Sequence, residues 1–306
     1  MNILVIGNFC WDCYGSVETE LSMEPGGIMY SLYAFSSVMK KGDLLFPVFP
    51  VETSLFEQIK SGEFMLPQVE LSGIYKMQES NSKVLVTIRE NQDPDYKVIT
   101  GYQENVKPEF LPDQKMDGIY LNFQTGHDWD LAALKVLREK YPDAFIHTDI
   151  HSLAYEIAVR NKNDKENAFQ ELNSVFQISD SLQFNQQELT GMIFATGKTE
   201  KELVKAAIVN GRAKAVIITK GERGVVCYEK VLNQIETHVL RPITVHRSNF
   251  PIGSGDVLGS VFLNELLVSK GIRHSIVKGM KLAELAVSKE GFRAKVEHVR
   301  INGALL

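Results

Sequence analysis

Short apolar segments alternate with helical segments from Gly118 onward, and this alternation constrains the fold more than any other feature of the sequence. Strand character covers residues 118–123, 144–150, 181–184 and 215–219, and helical character covers residues 131–140 and 186–195. Residues 224–229 follow the last of these strands after a turn, so we expect them to pair with it as a hairpin. The alternation predicts an α/β fold with a mostly parallel sheet that helices cover on both faces.

The N-terminal segment predicts one more strand of this sheet. Asn2–Ile6 is a short, β-rich apolar run that ends at Gly7, which is typical of a buried parallel strand. We expect Asp12 in a loop at the carboxyl end of this strand, where ligands bind in open α/β sheets. A solvated loop acid is the alternative interpretation. Gly26 and Gly27 then precede an apolar helix at 28–39, and two glycines there permit a ligand to approach the backbone or form a plain turn.

A predicted hairpin interrupts the α/β pattern. Residues 83–89 alternate along a strand, 91–95 read as a turn, and 96–100 resume strand character. Together with residues 16–24, this hairpin would suit a small sheet that lies over a site as a lid.

Length and composition fit one large domain. The chain has 306 residues, of which 44% are hydrophobic and 23% charged, as is ordinary for a soluble globular protein. We expect a single domain over residues 1–306, with a lid formed by about residues 10–25 and 73–104. The formal net charge of −5 and the absence of a Lys/Arg cluster argue against nucleic acid as a partner. The apolar runs are too short for a membrane span, so no membrane partner is expected.

Cysteine usage favours the cytoplasm, because three cysteines are too few for a disulfide framework. The sequence starts without a basic segment and with a short apolar run, so we expect no signal peptide. Cys10 and Cys13 form a C-x-x-C, but Cys227 is far away, and a zinc site would need further ligands at matching spacing. A thioredoxin-type pair would lie at a helix start, whereas this pair is expected in a loop.

His147, Asp149 and His151 fall on one face of a predicted strand and could imitate a metal site. Residues two apart along a strand rarely converge on one ion, so we interpret Asp149, at the strand end, as a polar site residue instead.

The segment Gly253-Ser254-Gly255-Asp256 precedes an apolar run with helical spacing, which predicts a buried helix that begins at or just after Asp256. Unpaired N–H groups and the positive end of the helix dipole would form an anion site there. A carboxylate beside a phosphate is unfavourable, because the two negative charges repel each other. A role as the base that takes the proton of an attacking hydroxyl would explain its position. A Gly-rich turn with Asp256 as a helix cap is the alternative.

Two further motifs follow predicted strands. Asn185 and Glu188 could orient water around a magnesium ion, although the spacing alone favours Asn185 as a helix N-cap with Glu188 closing a variant capping box. Thr219, Gly221 and Gly224 could cradle nucleotide phosphates or form a hairpin turn.

Taken in this order, these motifs resemble those of the ribokinase family (pfkB-type carbohydrate kinases), and the resemblance runs from residue 2 to about residue 292. It implies a Rossmann-like three-layer α/β/α sandwich with a small β-sheet lid. It implies ATP and Mg²⁺ as cofactors and a sugar-like substrate. The residue roles that it implies are the catalytic base for Asp256 in Gly253-Ser254-Gly255-Asp256, magnesium and phosphate positioning for Asn185 and Glu188, the nucleotide site for Thr219, Gly221 and Gly224, and substrate binding for Asp12, Gly26, Gly27, Ser31 and Asp149.

The chain also departs from the family pattern. Phe250 and Pro251 replace an Asp-Thr pair whose acid lies near a monovalent-cation site in the family, so we expect turnover that is insensitive to potassium. Ser31 stands where an Asn is common, and His151 and Leu153 replace an amide and an arginine in the motif that begins at Asp149. The catalytic set is kept better than the sugar-recognition set, so the resemblance does not fix ribose or fructose as the substrate.

Two classes of function remain after these comparisons of motifs. The first is an ATP-dependent carbohydrate kinase (a phosphotransferase to an alcohol group) whose acceptor is a sugar, a sugar derivative or a nucleoside. The second is a catalytically silent nucleotide- or sugar-binding regulatory protein on the same fold. Retention of Asp256 with both flanking glycines favours the first. The sequence leaves the acceptor, the preferred donor and the oligomeric state open, with a homodimer through the lid as the expectation.

Overall fold

The computed structural model describes residues 1–14, 22–62, 66, 68–87, 95–101, 104–242, 252–269, 271–289 and 291–303. Phe250, Pro251, most of the predicted turn at 91–95 and residues 16–21 lie outside the described residues. The strands are β1 (Asn2–Ile6), β2 (Phe9–Tyr14), β3 (Ser22–Gly27), β4 (Leu44–Glu52), β5 (Ile74–Met77), β6 (Ser82–Thr87), β7 (Asp95–Thr100), β8 (Gly118–Asn122), β9 (Phe145–Asp149), β10 (Ser181–Asn185), β11 (Ala215–Thr219), β12 (Val225–Val231) and β13 (Gln234–Leu240).

The helices are α1 (Ile28–Val38), α2 (Thr53–Ser61), α3 (Leu134–Lys140), α4 (Leu153–Arg160), α5 (Lys165–Ile178), α6 (Gln186–Thr196), α7 (Glu200–Lys205), α8 (Ser254–Ser269), α9 (Ile272–Val287) and α10 (Phe292–Gly303). Among the described residues, none of these helices is long and apolar enough to cross a membrane.

The large sheet has the strand order β13-β12-β11-β10-β9-β8-β1-β4-β5. Its strands pair in parallel from β11 across to β5, and β12 and β13 extend the sheet antiparallel at one edge. The predicted strand positions and the hairpin after β11 are confirmed. The apolar runs of the central strands are continuous because each of these strands is buried on both faces.

Helices cover both faces of this sheet, as strand alternation requires. Leu4, Ile119 and Ile146 point to one face, where they pack with α3 to α7. Ile3 and Val5 point to the other face, where they pack with α1 and residues of α8 and α10. The result is the predicted three-layer sandwich.

A separate four-stranded sheet has the order β3-β2-β6-β7. The predicted hairpin is confirmed as β6 and β7, which pair antiparallel with Val84 opposite Val98. The prediction that Asp12 lies in a loop is wrong, because Asp12 lies inside β2, opposite Glu24 of β3. Cys10 and Cys13 lie in the same strand, whose three aromatic residues favour an extended conformation and which pairs with β3 and β6.

Gly26 and Gly27 likewise form the end of a strand and not a break before the helix. Gly27 has a φ of 60° and leads directly into α1, whose first amide, Ile28 N–H, donates to Asn8 O at 2.9 Å. A β-carbon on Gly27 would lie 2.3 Å from Asn8 O, so only glycine fits at this strand-to-helix junction.

Candidate active site

Polar residues end four neighbouring parallel strands at one edge of the large sheet. They are Asn122 of β8, Asp149 of β9, Asn185 of β10 and Thr219 of β11. Asn122 lies opposite Asp149 in register, and Asn185 lies opposite Thr219. The carboxyl edge of an open α/β sheet is where ligands bind, and α8 begins near the same edge.

Helix α8 begins at Ser254, two residues before the expected start. Gly253 has a φ of 76° and turns the chain so that the helix starts at once. A β-carbon on Gly255 would meet only Gln183 Nε2, at 3.7 Å, so the first turn has open space beside it. This start places Asp256 in the first helical turn, where the N–H groups of residues 254–256 have no partner within the helix.

Asp256 is buried, with 6% of its surface exposed, and is held by polar side chains from two other elements. Its Oδ1 accepts hydrogen bonds from Ser31 Oγ at 3.3 Å and from Asn122 Nδ2 at 2.6 Å, and also from Gln124 Nε2. Burial raises the pKa of Asp256 to about 7, although the hydrogen bonds from Asn122 and Ser31 lower it. A carboxyl group with this pKa changes its protonation state near neutral pH.

Asn122 and Gln124 belong to no motif that predicted a site residue. Asn122 is the last residue of β8 and Gln124 follows two positions later, as Asp149 is the last residue of β9. A polar residue at the end of an apolar strand was therefore the sequence signal that could have identified them. Their amides orient Asp256 from a strand that lies far away along the chain.

Asp12 faces the same site from the small sheet. Its Oδ2 accepts a hydrogen bond from Tyr30 OH at 3.2 Å, and its Oδ1 lies 3.6 Å from Cys10 Sγ. A β-carbon on Gly26 would lie 2.4 Å from Asp12 Oδ1, so the absence of a side chain makes room for this carboxylate. Burial raises the pKa of Asp12 to about 6, and the Asp12 charge in turn raises the pKa of Asp256. The two carboxyl groups are therefore close enough to interact.

Asp149 connects the strand edge to α8. Gln183 Nε2 donates both to Asp149 Oδ2 at 2.7 Å and to Gly255 O at 2.9 Å, and Tyr120 OH donates to Asp149 Oδ2 at 3.4 Å. Burial raises the pKa of Asp149 well above its ordinary value, and the nearby charges of Glu188 and Asp256 raise it further. Asp12, Asp149 and Asp256 thus converge from three elements of the fold.

Asn185 and Glu188 form the capping box of α6. The Asn185 side chain accepts from Glu188 N at 2.8 Å, and Glu188 Oε2 accepts from Asn185 N at 2.7 Å. The capping interpretation is confirmed. Glu188 is also buried and close enough to Asp149 to raise its pKa, so a carboxylate pair lies beside this helix start.

The segment Thr219 to Gly224 forms the turn between β11 and β12. A β-carbon on Gly224 would lie 2.1 Å from Leu240 O, so packing against β13 explains this glycine. A β-carbon on Gly221 would meet nothing within 4 Å, which leaves open space beside its backbone. Among the described residues, Gly221 is therefore the glycine of this motif beside which a ligand could approach the backbone.

The residues weighed as metal ligands have other partners. Cys10, Cys13 and Cys227 are buried and form no disulfide bond. His147 Nδ1 hydrogen-bonds Ser181 Oγ at 2.8 Å, and burial lowers the pKa of His147 to about 3. Over the described part of the chain, no group of three or more His, Cys, Asp or Glu residues is arranged to hold a metal ion.

Comparisons with known proteins identify the family and the fold. Residues 68–299 match the pfkB family carbohydrate kinase. No curated protein matches the chain.

The fold is that of solved kinases. Ribokinase from Giardia lamblia is 16% identical, with a TM-score of 0.74 and coverage of 98% of both chains. Fructokinase from Vibrio cholerae, solved with fructose, ADP and calcium, is 16% identical, with a TM-score of 0.69 and coverage of 97% of this chain and 96% of that chain. Aminoimidazole riboside kinase from Salmonella enterica, solved with aminoimidazole riboside and an ATP analogue, is 14% identical, with a TM-score of 0.71 and coverage of 98% and 100%. The chain has the ribokinase-like fold and belongs to the pfkB family of carbohydrate kinases.

Proposed function

We propose that the protein is an ATP-dependent phosphotransferase that acts on a hydroxyl group of a sugar or sugar-like small molecule. The observation that carries this proposal is the position of Asp256. It is a buried carboxyl group with a pKa raised to about 7, in the first turn of α8 and beside a glycine-lined opening. A helix cap at the surface needs neither burial nor a raised pKa, whereas a general base uses both.

In this mechanism Asp256 accepts the proton of the attacking hydroxyl as its oxygen bonds to the γ-phosphorus of ATP, and the bond from that phosphorus to the β–γ bridging oxygen breaks to release ADP. The hydrogen bonds from Ser31 and Asn122 hold its carboxylate in one orientation. The backbone N–H groups at Gly253 to Asp256 and the positive end of the α8 dipole stabilise the negative charge on the transferring group.

The residues at the nucleotide end fit ATP and Mg²⁺ in part. Mg²⁺, when bound, would neutralise phosphate charge. Asn185 and Glu188 would hold it indirectly, through water and phosphates, because their own side chains are engaged in the capping box. Thr219, Gly221 and Gly224 would line the nucleotide, with close backbone approach at Gly221.

The acceptor would lie between the small sheet and the strand edge. Asp12 and Asp149 present buried carboxylates that accept hydrogen bonds from sugar hydroxyls, and Gly26 and Gly27 keep the β3 end free of side chains. Ser31 would contact the acceptor and Asp256 together. A nucleoside is the alternative acceptor, and its support is the similar fold of the Salmonella aminoimidazole riboside kinase, which was solved with aminoimidazole riboside.

A catalytically silent regulatory protein is the second candidate. The observation that favours it is Leu153, which stands where the family pattern has an arginine and is fully buried in the core. This position therefore offers no charge to a substrate, and part of the recognition set is absent.

The test is a panel of sugars and nucleosides with ATP and magnesium, followed by Asp256→Asn on the best acceptor. Asparagine keeps the volume and can still cap a helix, but it cannot accept the proton. We expect turnover to fall by about two to four orders of magnitude. ATP affinity should hold or rise, because a negative charge beside the phosphates is removed.

Asp164→Asn is the matched control. Asp164 caps α5 by accepting from Asn167 N at 3.0 Å, and asparagine serves nearly as well at such a position. We expect near-normal turnover in Asp164→Asn. Near-normal turnover in Asp256→Asn as well would contradict the proposed mechanism. Absence of turnover with every acceptor in the wild type would favour the silent binding protein.

A further inference from the structure

Lys295 is a buried lysine directly behind the start of α8. It lies one turn into α10, with 4% of its surface exposed, and its Nζ donates a hydrogen bond to Ile252 O at 2.8 Å. Lysine is rarely buried to this extent, because removal of an ammonium group from water is costly unless oxygen ligands replace the water. The position of Lys295 therefore needs an explanation beyond packing.

The surroundings of Lys295 are oxygen-rich and acidic. The charges of Asp12 on β2 and Glu24 on β3 both act to raise its pKa, which places these carboxylates nearby. Glu24 Oε2 also accepts a hydrogen bond from Phe292 N at 2.7 Å and so caps α10 from the small sheet. Lys295 lies where the small sheet, α10 and the segment before α8 meet.

The ammonium stays charged in this setting. Burial lowers the pKa of Lys295 to about 8, and Asp12 and Glu24 oppose that shift. A carbonyl oxygen and nearby carboxylates are hard oxygen ligands of the kind that also attract metal cations. The lysine thus supplies a fixed single positive charge at a place that would otherwise attract a cation from solution.

The hydrogen bond to Ile252 O also orients the next amide group. Ile252 C=O and Gly253 N–H belong to one peptide unit, and the structure contains no cis peptide bond among its described residues. In a trans peptide these two groups point in opposite directions, so an ammonium on the carbonyl aims Gly253 N–H away from α10. The same contact polarises the peptide and makes its N–H a stronger donor.

Building on the proposed kinase function, we infer that Lys295 is a positioning residue that acts as a built-in monovalent cation. It fixes and polarises the Ile252–Gly253 peptide behind the anion site, and it ties that peptide to the acidic edge of the small sheet. The reaction therefore needs no dissolved monovalent cation at this position.

The test compares Lys295→Met and Lys295→Ala with the wild type. Methionine keeps the apolar stem and removes the charge, so we expect kcat to fall about 10- to 100-fold with little change in the KM for ATP. Methylammonium should restore kcat in Lys295→Ala, because it can enter the space left by the side chain, and tetramethylammonium at equal ionic strength should not. Lys289→Met, on an exposed lysine after α9, is the matched control and should remain at the wild-type rate.

A second readout does not depend on catalysis. Methylammonium should raise the melting temperature of Lys295→Ala, while the wild type and Lys289→Met should not respond. Wild-type kcat in Lys295→Met, or equal responses to methylammonium and tetramethylammonium in Lys295→Ala, would overturn the inference and leave the kinase function intact. A wild type that phosphorylates no acceptor would overturn the kinase function, and the melting measurement would still decide whether Lys295 fills a cation site.

Discussion

The ring of Tyr30 lies directly on the α-carbon of Gly253, where a β-carbon would come within 2.4 Å of Tyr30 Cδ1. The hydroxyl of the same ring donates to Asp12 Oδ2 at 3.2 Å. One side chain of α1 therefore spans from the turn before α8 to the carboxylate of the small sheet. The Tyr30 ring therefore connects the two halves of the candidate site.

Gly253→Ala should impair both folding and turnover. The new methyl group meets the Tyr30 ring, and a left-handed φ of 76° adds strain of about 1 kcal/mol or more for any other residue. We expect a lower free energy of unfolding in urea and a drop in kcat, because relief of the clash must move the amides of the anion site.

Gly42→Ala separates these two causes. Gly42 has a φ of 96° and nothing within 4 Å of an added β-carbon, so it carries backbone strain without a clash. If Gly253→Ala and Gly42→Ala lost equal stability and equal activity, the contact with Tyr30 would have no role.

The pH dependence of kcat/KM should show a rise centred near pH 7. Asp256 must be deprotonated to act as a base, and its pKa is raised to about 7, so activity is lost as the pH falls through that value. The pKa of Asp12 is raised to about 6, and the pKa of Asp149 is raised well above its ordinary value. Both carboxyl groups interact with Asp256 and therefore broaden the transition. The residual rate of Asp256→Asn should lack this transition.

Stability supplies an independent check on the same carboxyl group. Its pKa in the folded chain exceeds the ordinary value of 3.8, so the folded state binds the proton more tightly than the unfolded state. The stability that Asp256 contributes therefore falls as the pH rises from about 4 to about 7. We expect Asp256→Asn to melt increasingly above the wild type across this range; a constant difference would mean that the pKa is not raised.

Turnover of the wild type should be insensitive to potassium. Phe250 and Pro251 remove the acid that the family pattern has there, and a carboxylate is the hard ligand that a monovalent cation would need. Rates in matched sodium and potassium salts should agree. A several-fold higher rate in potassium would contradict this prediction.

The small sheet should mediate a homodimer. Met23 on β3 and Val98 on β7 are 50% and 54% exposed on the two outer strands, and unpaired strand edges favour association. Light scattering at micromolar concentration should give twice the mass of the chain. Val98→Asp should shift the protein to the monomer, whereas Val239→Asp, at a 64% exposed position on β13, should not.

Local patterns in the sequence predicted most of the large sheet. Runs such as Asn2–Ile6 and Ala215–Thr219 carry their strand signal in their own composition, because they are buried on both faces. The Asn185 and Glu188 capping box was also visible, since its residues are three apart. Such features depend on neighbours along the chain.

The small sheet and half of the site depend on distant partners instead. Ser22–Gly27 contains a proline and two glycines, which local propensity assigns to a turn, yet pairing with β2 makes it a strand. Lys295 meets Ile252 across 43 positions, and Phe292 meets Glu24 across 268. No spacing rule connects residues that are so far apart, so these contacts became visible only in the folded chain.

The direct junction between β3 and α1 has a consequence for the acidity of the base. No residue separates Gly27 from Ile28, so a rotation of the small sheet about this point would be carried into α1 and to Ser31, one turn later. The Ser31 hydrogen bond lowers the pKa of Asp256, and its loss would make that carboxyl group hold its proton more tightly. The proton affinity of Asp256 and the orientation of the small sheet are thus linked quantities: a rotation that breaks the Ser31 hydrogen bond would raise the pKa of Asp256, and a rotation that shortens the bond would lower it.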